Sequence, residues 1–398
     1  MKIAILKERR PHESRVAASA ETVKKFVDLG VELSIEKGAG QESNILDVEF
    51  EEAGASIAVS ASEALDGADI VLKVQRPMIA GENQDELSAF SSGQVLVCQM
   101  NALTEVEFVM AMADAGVDGF AMELMPRISR AQSMDVLSSQ SNLAGYKAVL
   151  DAATEFGKAF PMMMTAAGTV PPARVFVMGA GVAGLQAIAT ARRLGAIVSA
   201  TDVRPVTKEQ VESLGATFVA VRDDEFEDAQ TMSGYAKEMS DSYKKKQTAL
   251  IAETIAKQDI VICTALIPGK PAPKLIDAKM VSSMKQGSVI VDLAVESGGN
   301  CAVSQCGKVV LKDGVKIIGH ANMPSRVATD ASRLFAKNLL NFLKPLIDAD
   351  RGVFNIDMED KTVSGTLVTR DGKIVHPMLN GAHSSLTAEG PNATETTD

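Results

Sequence analysis

Three glycines and one acidic residue carry the strongest chemical signal in this sequence. Gly179, Gly181 and Gly184 have the spacing GxGxxG, and Asp202 follows the third glycine by 18 residues. A glycine-rich turn of this spacing lets backbone N–H groups approach a pyrophosphate, and a carboxylate further along accepts hydrogen bonds from a ribose diol. These residues predict a dinucleotide site. Asp202 favours NAD over NADP because a carboxylate would repel a 2′-phosphate, although the nearby Arg204 tempers that repulsion.

The residues around the turn predict the elements that must position it. Apolar residues 175–178 are typical of a buried strand, residues 185–194 have helical spacing, and residues 196–200 form a second apolar run. This strand–turn–helix–strand order places a helix N-terminus, with its free N–H groups and positive dipole end, beside the phosphates. A structural βαβ turn that binds no ligand is the alternative interpretation of the same pattern.

Composition limits the remaining classes of function. The chain has 398 residues, a net charge of −11 and a hydrophobic content of 46%, which predicts two globular domains and argues against nucleic-acid binding. The four cysteines form no CxxC pair and no metal-ligand spacing, so we expect reduced thiols and no metal site. The N-terminus does not resemble a signal peptide, and no run of about 18 apolar residues predicts a membrane span.

Alternating apolar runs and helical segments predict the fold class. Short strands alternate with helices on both sides of a long amphipathic helix at 138–160, and a second such helix covers 325–346. This alternation is typical of parallel sheets covered on both faces. We predict an α/β protein with two doubly wound, Rossmann-like parallel-sheet domains joined by two long helices. The predicted boundaries are 1–137 plus 328–386 for a discontinuous first α/β domain, 138–327 for the Rossmann NAD(H)-binding domain, and 387–398 for a disordered tail.

One connection is much longer than the others in the second domain. Residues 222–247 mix many charged side chains with methionines and with Tyr235 and Tyr243, whereas a βα connection typically has about 2–6 residues. A long loop beside a nucleotide site is a candidate lid, which we centre on Gly234 and Tyr235. The alternative is that part of this segment forms a helix with a charged outer face.

Five stretches give the chain a resemblance to a known family. They are MELMPRISRAQSMDVLSSQSNLAGYKAV (122–149), FPMMMTAAGTVPPARV (160–175), TALIPGKPAPKLI (264–276), DLAVESGGN (292–300) and MPSRVATDAS (323–332). Over nearly its whole length the chain resembles the NAD(H)-binding component of proton-translocating nicotinamide nucleotide transhydrogenase. That family is related in fold to alanine dehydrogenase.

The resemblance implies an enzyme that passes a hydride directly between NADH on this chain and NADP+ on a partner component. NAD(H) would be the cofactor here, NADP(H) would belong to the partner component, and other subunits would couple the reaction to proton movement. A homodimer would lie in the cytoplasm, attached peripherally to the inner membrane through a membrane-spanning transhydrogenase subunit. Hydride transfer between two nicotinamide rings exchanges no proton, so it needs positioning and exclusion of water rather than a general acid or base.

The resemblance also assigns residues to the site. A loop beside the nicotinamide would supply Arg127, Gln132, Asp135 and Ser138 as catalytic residues, with Gln132 reaching toward the partner's ring. From the residues alone, this loop is equally well a polar helix entry that Asp135 caps. The full cofactor-binding set is Arg127, Ile128, Ser129, Gln132, Asp135, Ser138, Gly179, Gly181, Val182, Gly184, Asp202, Val203, Arg204, Gly234, Tyr235, Gln247, Thr264, Ala265 and Leu266.

Within this set the resemblance distinguishes three groups by their role. Residues 202–204 would contact the adenosine ribose, and residues 264–266 would line the pocket of the nicotinamide ring. Gly234, Tyr235 and Gln247 would belong to a mobile loop that closes on the nucleotide.

Two alternative functions stay open at this point. An alanine-type dehydrogenase would use a catalytic histidine where this chain has Gln99 and an aspartate where it has Glu296, although the substrate-type Arg15 and Lys73 are present. Without that histidine and aspartate, amino-acid oxidation has no evident acid–base pair. The other alternative is a regulatory module that senses NAD(H) and catalyses no reaction.

Overall fold

The chain forms two compact units. Unit 1 consists of Met1–Ser139 together with the segment from Ala328 onward, and unit 2 consists of Gln140–Val327. Within the described ranges, no helix is both long and apolar enough to cross a lipid bilayer. The computed structural model describes residues 1–221, 224–227, 240–267, 269–348 and 351–379.

The strands are short and mostly buried, as expected of apolar runs in a sheet covered on both faces. In chain order they are β1 (Lys2–Ile5), β2 (Glu32–Glu36), β3 (Ser56–Ala58), β4 (Ile70–Gln75), β5 (Val95–Gln99), β6 (Asp118–Ala121), β7 (Met163–Thr165), β8 (Gly168–Val170), β9 (Arg174–Met178), β10 (Ile197–Thr201), β11 (Thr217–Phe218), β12 (Ile260–Cys263), β13 (Val289–Asp292), β14 (Lys308–Lys312), β15 (Val315–Gly319), β16 (Ile347–Asp348), β17 (Val353–Phe354), β18 (Leu367–Arg370) and β19 (Lys373–Ile374).

Helices connect most of the parallel strands. In chain order the α-helices are α1 (Ala20–Val27), α2 (Asp47–Glu52), α3 (Ala61–Leu65), α4 (Val106–Asp114), α5 (Val136–Glu155), α6 (Val182–Arg193), α7 (Thr207–Ser213), α8 (Asp224–Glu227), α9 (Asp241–Ile255), α10 (Ala278–Ser283), α11 (Ala328–Leu343) and α12 (Lys361–Ser364).

Unit 1 is built on an eight-stranded sheet with the strand order β19-β18-β6-β5-β4-β1-β2-β3. The strands β1 to β6 pair in parallel, and β18 and β19 join the sheet antiparallel. Alternate residues of β1 enter different cores, since Ile3 and Ile5 belong to one buried cluster and Ala4 to another. Both faces of this sheet are therefore covered.

Unit 2 is built on a seven-stranded sheet with the strand order β11-β10-β9-β12-β13-β15-β14. Its neighbouring strands pair in parallel apart from the antiparallel pair of β14 and β15. Along β9, Val175 and Val177 enter one core, whereas Phe176 and Met178 enter the other. The predicted α/β class with two doubly wound, parallel-dominated sheets is confirmed.

Both long helices are present, but their ends differ from the predicted ones. Helix α5 begins at Val136 and ends at Glu155, five residues before the predicted end. Phe156 still donates its backbone N–H to the Ala152 carbonyl at 2.9 Å, Gly157 follows, and the rings of Phe156 and Phe160 pack edge to face in the unit 2 core with centroids 6.2 Å apart. Helix α11 is shorter than predicted because a 3₁₀ turn flanks each of its ends.

Strands β7 and β8 form a separate hairpin in unit 2 that was not predicted. All of its strand residues are exposed, and the exposed fractions of Met163 and Met164 are 43% and 77%. The hairpin thus presents apolar side chains to solvent, which is typical of a surface that another protein covers.

Candidate nucleotide-binding site

The glycine-rich turn joins the end of β9 to the start of α6. Gly179 has a φ of 104°, a left-handed conformation that a side chain disfavours. A Cβ on Gly179 would lie 2.6 Å from Oγ1 of Thr264, and a Cβ on Gly184 would lie 1.8 Å from the carbonyl oxygen of Gly179. Both positions require glycine because the turn, α6 and the end of β12 pack without room for a side chain.

Gly181 differs from these two glycines because the space in front of it is open. Its φ of −79° suits any residue, and apart from Gly181 and its two chain neighbours no described residue has an atom within 4 Å of a Cβ built on it. Gly181 is the N-cap of α6, and within the described structure no side chain caps the first N–H groups of this helix. A bare helix N-terminus beside open space fits a pyrophosphate. Val182, the first residue of α6, is exposed there.

The turn lies where the strand order of unit 2 reverses direction. From β9 the chain passes to β10 and β11 on one side, then returns to β12 and β13 on the other. The carboxyl ends of β9 and β12 are neighbours, and Oγ1 of Thr264 donates a hydrogen bond of 2.9 Å to the carbonyl of Gly179. Open parallel sheets bind ligands in the crevice at such a reversal.

Asp202 lies at the tip of β10 and is buried beside the turn. Its carboxylate accepts hydrogen bonds from the backbone N–H of Ala180 at 2.7 Å and from Nε and Nη2 of Arg204 at 2.9 and 2.8 Å. The guanidinium therefore neutralises the carboxylate that would repel a 2′-phosphate. A ribose diol at this position would share Asp202 with Arg204, while Val203 between them is half-buried.

The segment after β12 extends the same crevice. Thr264 and Ala265 are partly buried, whereas Leu266 and Ile267 have exposed fractions of 52% and 45%. Unit 2 thus brings together the glycine-rich turn, residues 202–204 and residues 264–266. Asn300 also contacts this segment, although no sequence pattern pointed to it, because its partners are more than 25 residues away along the chain.

The loop predicted to lie beside the nicotinamide belongs to unit 1. Residues 129–134 form a 3₁₀ helix, and Asp135 then caps α5 by accepting hydrogen bonds from the backbone N–H of Ser138 at 2.9 Å and its Oγ at 2.5 Å. The alternative role of Asp135 as a helix cap is therefore realised. Arg127, Ser129 and Gln132 are exposed, and Ile128 packs on the unit 1 core.

Helix α11 supports this loop with residues that sequence reasoning missed. The side-chain amides of Asn338 and Asn341 both donate to the carbonyl of Ser133, at 2.9 and 3.0 Å. Oδ1 of Asn338 also accepts a hydrogen bond of 2.7 Å from Oγ of Ser139 in the first turn of α5. Because Ser133 directly follows Gln132, these amides fix the backbone beside that side chain.

The predicted lid is only partly described. Gly234 and Tyr235 lie outside the described residues. Gln247 lies in α9 rather than in a loop, so the prediction of one loop over 222–247 is wrong at its C-terminal end. The reason is that Tyr243 is buried in the unit 2 core, and Ser240 caps the helix that carries it by accepting a 3.1 Å hydrogen bond from the Tyr243 backbone N–H. The alternative helical interpretation holds there.

A second cluster of charged side chains is buried in unit 1. The Arg15 guanidinium donates to both carboxylate oxygens of Glu13, at 2.8 and 2.6 Å. Nζ of Lys73 lies 3.1 Å from Oε1 of Glu86 and 3.5 Å from Oε2 of Glu8. Among the described buried atoms, Oε2 of Glu8 has no hydrogen-bond partner.

Glu8 and Glu13 of this cluster have pKa values shifted in opposite directions. Burial raises the pKa of Glu8 to about 7, although the Lys73 ammonium opposes the shift. Burial alone would also raise the pKa of Glu13, but Arg15 overrides that effect and lowers it to about 2. Arg15 and Lys73 therefore already face carboxylates of their own chain.

At the two positions that differ from an alanine-type dehydrogenase, Glu296 is exposed and Gln99 is partly buried. The Glu296 carboxylate accepts a hydrogen bond of 2.9 Å from the backbone N–H of Asn322. Gln99 ends β5, and its amide approaches Oδ1 of Asn101 at 3.5 Å. Among the described residues, no group of histidine, cysteine and acidic side chains has the arrangement of a metal site.

Comparison with known proteins gives consistent matches. The family models that match are alanine dehydrogenase/PNT, N-terminal domain, over residues 4–144, and alanine dehydrogenase/PNT, C-terminal domain, over residues 148–377. A protein from Rhodospirillum rubrum, named as the first part of an NAD(P) transhydrogenase subunit alpha, is 62% identical over 96% of this chain and 99% of its own length.

Solved structures repeat this pattern. The crystal structure of a transhydrogenase from Sinorhizobium meliloti has a TM-score of 0.85 and 53% identity, covering 94% of this chain and 100% of that one. An L-alanine dehydrogenase structure has a TM-score of 0.80 and 25% identity, covering 97% of this chain and 100% of that one. The fold is thus common to both enzymes, whereas sequence identity is higher to the transhydrogenase.

Proposed function

Because this chain belongs to the alanine dehydrogenase/PNT family, we propose that it is the NAD(H)-binding component of a proton-translocating transhydrogenase. The observation that carries this proposal is the turn at Gly181. There the N-terminus of α6, which no described side chain caps, faces open space beside the buried carboxylate of Asp202. The 62% identity to a transhydrogenase subunit supports the choice within the family.

The proposed reaction moves a hydride from the nicotinamide of NADH on this chain to the nicotinamide of NADP+ on a partner component. Two electrons and one hydrogen nucleus leave one ring together and arrive at the other, so no side chain has to give or take a proton. The protein's contribution is to bind both dinucleotides, orient their rings and exclude water. A reaction that needs no general acid or base agrees with the scarcity of histidine in the chain.

Each group of residues has a distinct part in this proposal. The turn from Gly179 to Gly184 with Val182 binds the pyrophosphate, residues 202–204 bind the adenosine ribose, and residues 264–266 line the ring pocket. Arg127, Ile128, Ser129, Gln132, Asp135 and Ser138 of unit 1 serve the nicotinamide end. Because Asp135 also caps α5, the positions of Asp135 and Ser138 are tied to each other.

Amino-acid oxidation is a weaker candidate, and the buried cluster of unit 1 gives the reason. A substrate carboxylate would need cations that it can reach, but Glu13 occupies Arg15 and the pair Glu8 and Glu86 faces Lys73. Glu296 holds a backbone N–H, and Gln99 cannot accept and release a proton. Gln99 and Glu296 therefore do not supply the histidine and the aspartate that form the acid–base pair of an alanine-type dehydrogenase.

We further propose that the chain is a homodimer that docks on other subunits. The exposed methionines of the β7–β8 hairpin support the homodimer, because exposed apolar surface favours association. A membrane-spanning subunit would hold the assembly at the cytoplasmic face of the membrane, and a separate component would carry NADP(H). Sedimentation that gives only a monomer mass at micromolar concentration would contradict the homodimer.

One mixing experiment separates the three candidate functions. The full chain is combined with a purified NADP(H)-binding transhydrogenase component, NADH and thio-NADP+, and formation of the reduced thionicotinamide is followed by its absorbance. We expect hydride transfer only when both proteins are present, and no NAD+ reduction with L-alanine. Binding of NADH without transfer at any protein ratio would indicate a sensing module, and alanine-dependent NAD+ reduction would indicate a dehydrogenase.

A further inference from the structure

Asn300 is completely buried in unit 2 and faces the segment that follows β12. Its Oδ1 accepts a hydrogen bond of 3.0 Å from the backbone N–H of Ala265, and its Nδ2 donates one of 2.8 Å to the Ala265 carbonyl. A single side-chain amide therefore pairs with both polar groups of one backbone residue, as an adjacent strand would. Nδ2 also donates to the carbonyl of Pro273 at 2.9 Å.

Asn300 is itself held by a second buried group. Asp292, the last residue of β13, accepts hydrogen bonds from the backbone N–H groups of Asn300 and Cys301 at 3.2 and 3.0 Å and from Oγ of Ser304 at 2.7 Å. The carbonyl of Asn300 accepts a further bond of 2.8 Å from the N–H of Leu275. These bonds fix the backbone of Asn300, and its side-chain amide can turn away from Ala265 only by giving up its own three buried hydrogen bonds.

The segment that Asn300 holds is also fixed at its other side. The backbone N–H of Thr264 donates to the Met178 carbonyl at 2.9 Å, and the Thr264 hydroxyl donates to the Gly179 carbonyl. Ala265 is thus fixed between the glycine-rich turn and Asn300. The exposed apolar side chains of Leu266 and Ile267 follow directly, and such side chains suit the face of a planar ring.

We infer that Asn300 is a positioning residue that sets the backbone of residues 264–266 for the nicotinamide end of NAD(H). This inference rests on the proposed function, because it takes those residues as the wall of the ring pocket. Asn300 acts through Ala265 and does not itself touch the dinucleotide. Its loss is therefore expected to weaken binding of the nicotinamide half while leaving the adenosine half in place.

The direct test compares NADH with ADP-ribose, which lacks the nicotinamide ring, on the full chain. In Asn300→Asp the side chain keeps its shape and its Oδ1 acceptor, but it loses both Nδ2 hydrogen bonds. We expect the Kd for NADH to rise about tenfold, as for the loss of a buried hydrogen bond, and the Kd for ADP-ribose to change by less than about twofold. Titration calorimetry measures both constants.

Two further variants make the comparison decisive. Asn300→Ser places no charge near Asp292 and carries the same expectation if Asn300→Asp does not fold. Gln258→Glu is the matched control. Gln258 lies just before β12, at the end of the strand far from Ala265, and its buried side-chain amide donates to the Thr254 carbonyl. We expect Gln258→Glu to lower the unfolding temperature without changing the ratio of the two dissociation constants.

The outcomes are distinguishable. If the Asn300 variants bind NADH and ADP-ribose equally weakly, or bind both as tightly as the wild type, Asn300 has no positioning role. The proposed function still stands in that case, provided that the wild-type chain binds NADH. Failure of the wild-type chain to bind NADH overturns the proposed function and this inference together.

Discussion

Gly181 and Gly184 are three residues apart, yet the structure predicts opposite consequences when each is replaced by alanine. A Cβ on Gly184 would lie 1.8 Å from the Gly179 carbonyl oxygen, so the turn and helix α6 must separate by at least 1.2 Å to reach even a 3.0 Å contact. Overpacking of this kind costs about 1–3 kcal/mol. Because both colliding atoms belong to rigid backbone, we expect Gly184→Ala to lose about 3 kcal/mol, which lowers the unfolding temperature by about 6–12 °C for a domain of this size.

Gly181→Ala should leave stability intact and impair binding. Apart from its two chain neighbours, no described residue has an atom within 4 Å of the added Cβ, and the φ of −79° suits alanine. We therefore expect unchanged stability or a gain of up to about 1 kcal/mol. The new methyl group would instead stand at the helix N-terminus, between the N–H donors and the pyrophosphate. We expect the Kd for NADH to rise at least about tenfold, which corresponds to about 1.4 kcal/mol.

Two measurements on each variant check this pair of expectations. Calorimetric unfolding reports stability, and the emission of NADH itself reports binding, without overlap from tryptophan because the chain contains none. The reasoning is refuted if Gly181→Ala binds NADH as tightly as the wild type, or if Gly184→Ala unfolds at the wild-type temperature. In the first case the open space at Gly181 does not receive the pyrophosphate.

Three further predictions concern charged residues. Arg204→Ala should weaken NADPH binding by about tenfold relative to NADH binding, because Asp202 then faces the 2′-phosphate without its counter-ion. Competition titrations measure the ratio of the two dissociation constants, and an unchanged ratio would refute this reasoning. Burial raises the pKa of Glu8 from its ordinary value of 4.5 to about 7, so the folded state retains a proton that the unfolded state releases. The stability of unit 1 should therefore fall as the pH rises from about 4.5 to about 7, and it should fall less in Glu8→Gln. Urea unfolding at several pH values measures both dependences, and parallel curves for the two proteins would contradict this prediction. Asp135→Ala should cost about 1 kcal/mol through loss of the α5 cap, and urea unfolding with no change in midpoint would argue against that role.

The fold class was predictable because it depends on local patterns. Runs such as 175–178 and 260–263 are uniformly apolar, which is typical of strands covered on both faces. The position of the turn was predictable as well, since glycine is required where φ is positive or where backbones touch. Helix α6 nevertheless begins at Val182, three residues before the predicted start, because Gly181 adopts the extended N-cap conformation directly after the turn.

Contacts between distant parts of the chain were not predictable in the same way. Asn300 contacts Ala265, and Asn338 contacts Ser133, across 35 and 205 residues. No periodicity in the sequence records such pairs. The end of α5 was also misplaced: the helix ends at Glu155, before the helix-breaking Pro161, and the rings of Phe156 and Phe160 then pack together in the unit 2 core.

The division of unit 1 into two segments has a consequence for biosynthesis. Ribosomes extend a chain from its N-terminus, so all of unit 2 is made before Phe342 of α11 and the whole of β18 emerge. Until then β6 lacks its antiparallel neighbour, and the ring of Phe120 lacks Phe342, which packs against it edge on at 5.4 Å. Domains generally fold as units during synthesis. The unit whose translation begins first is therefore the last to complete its core.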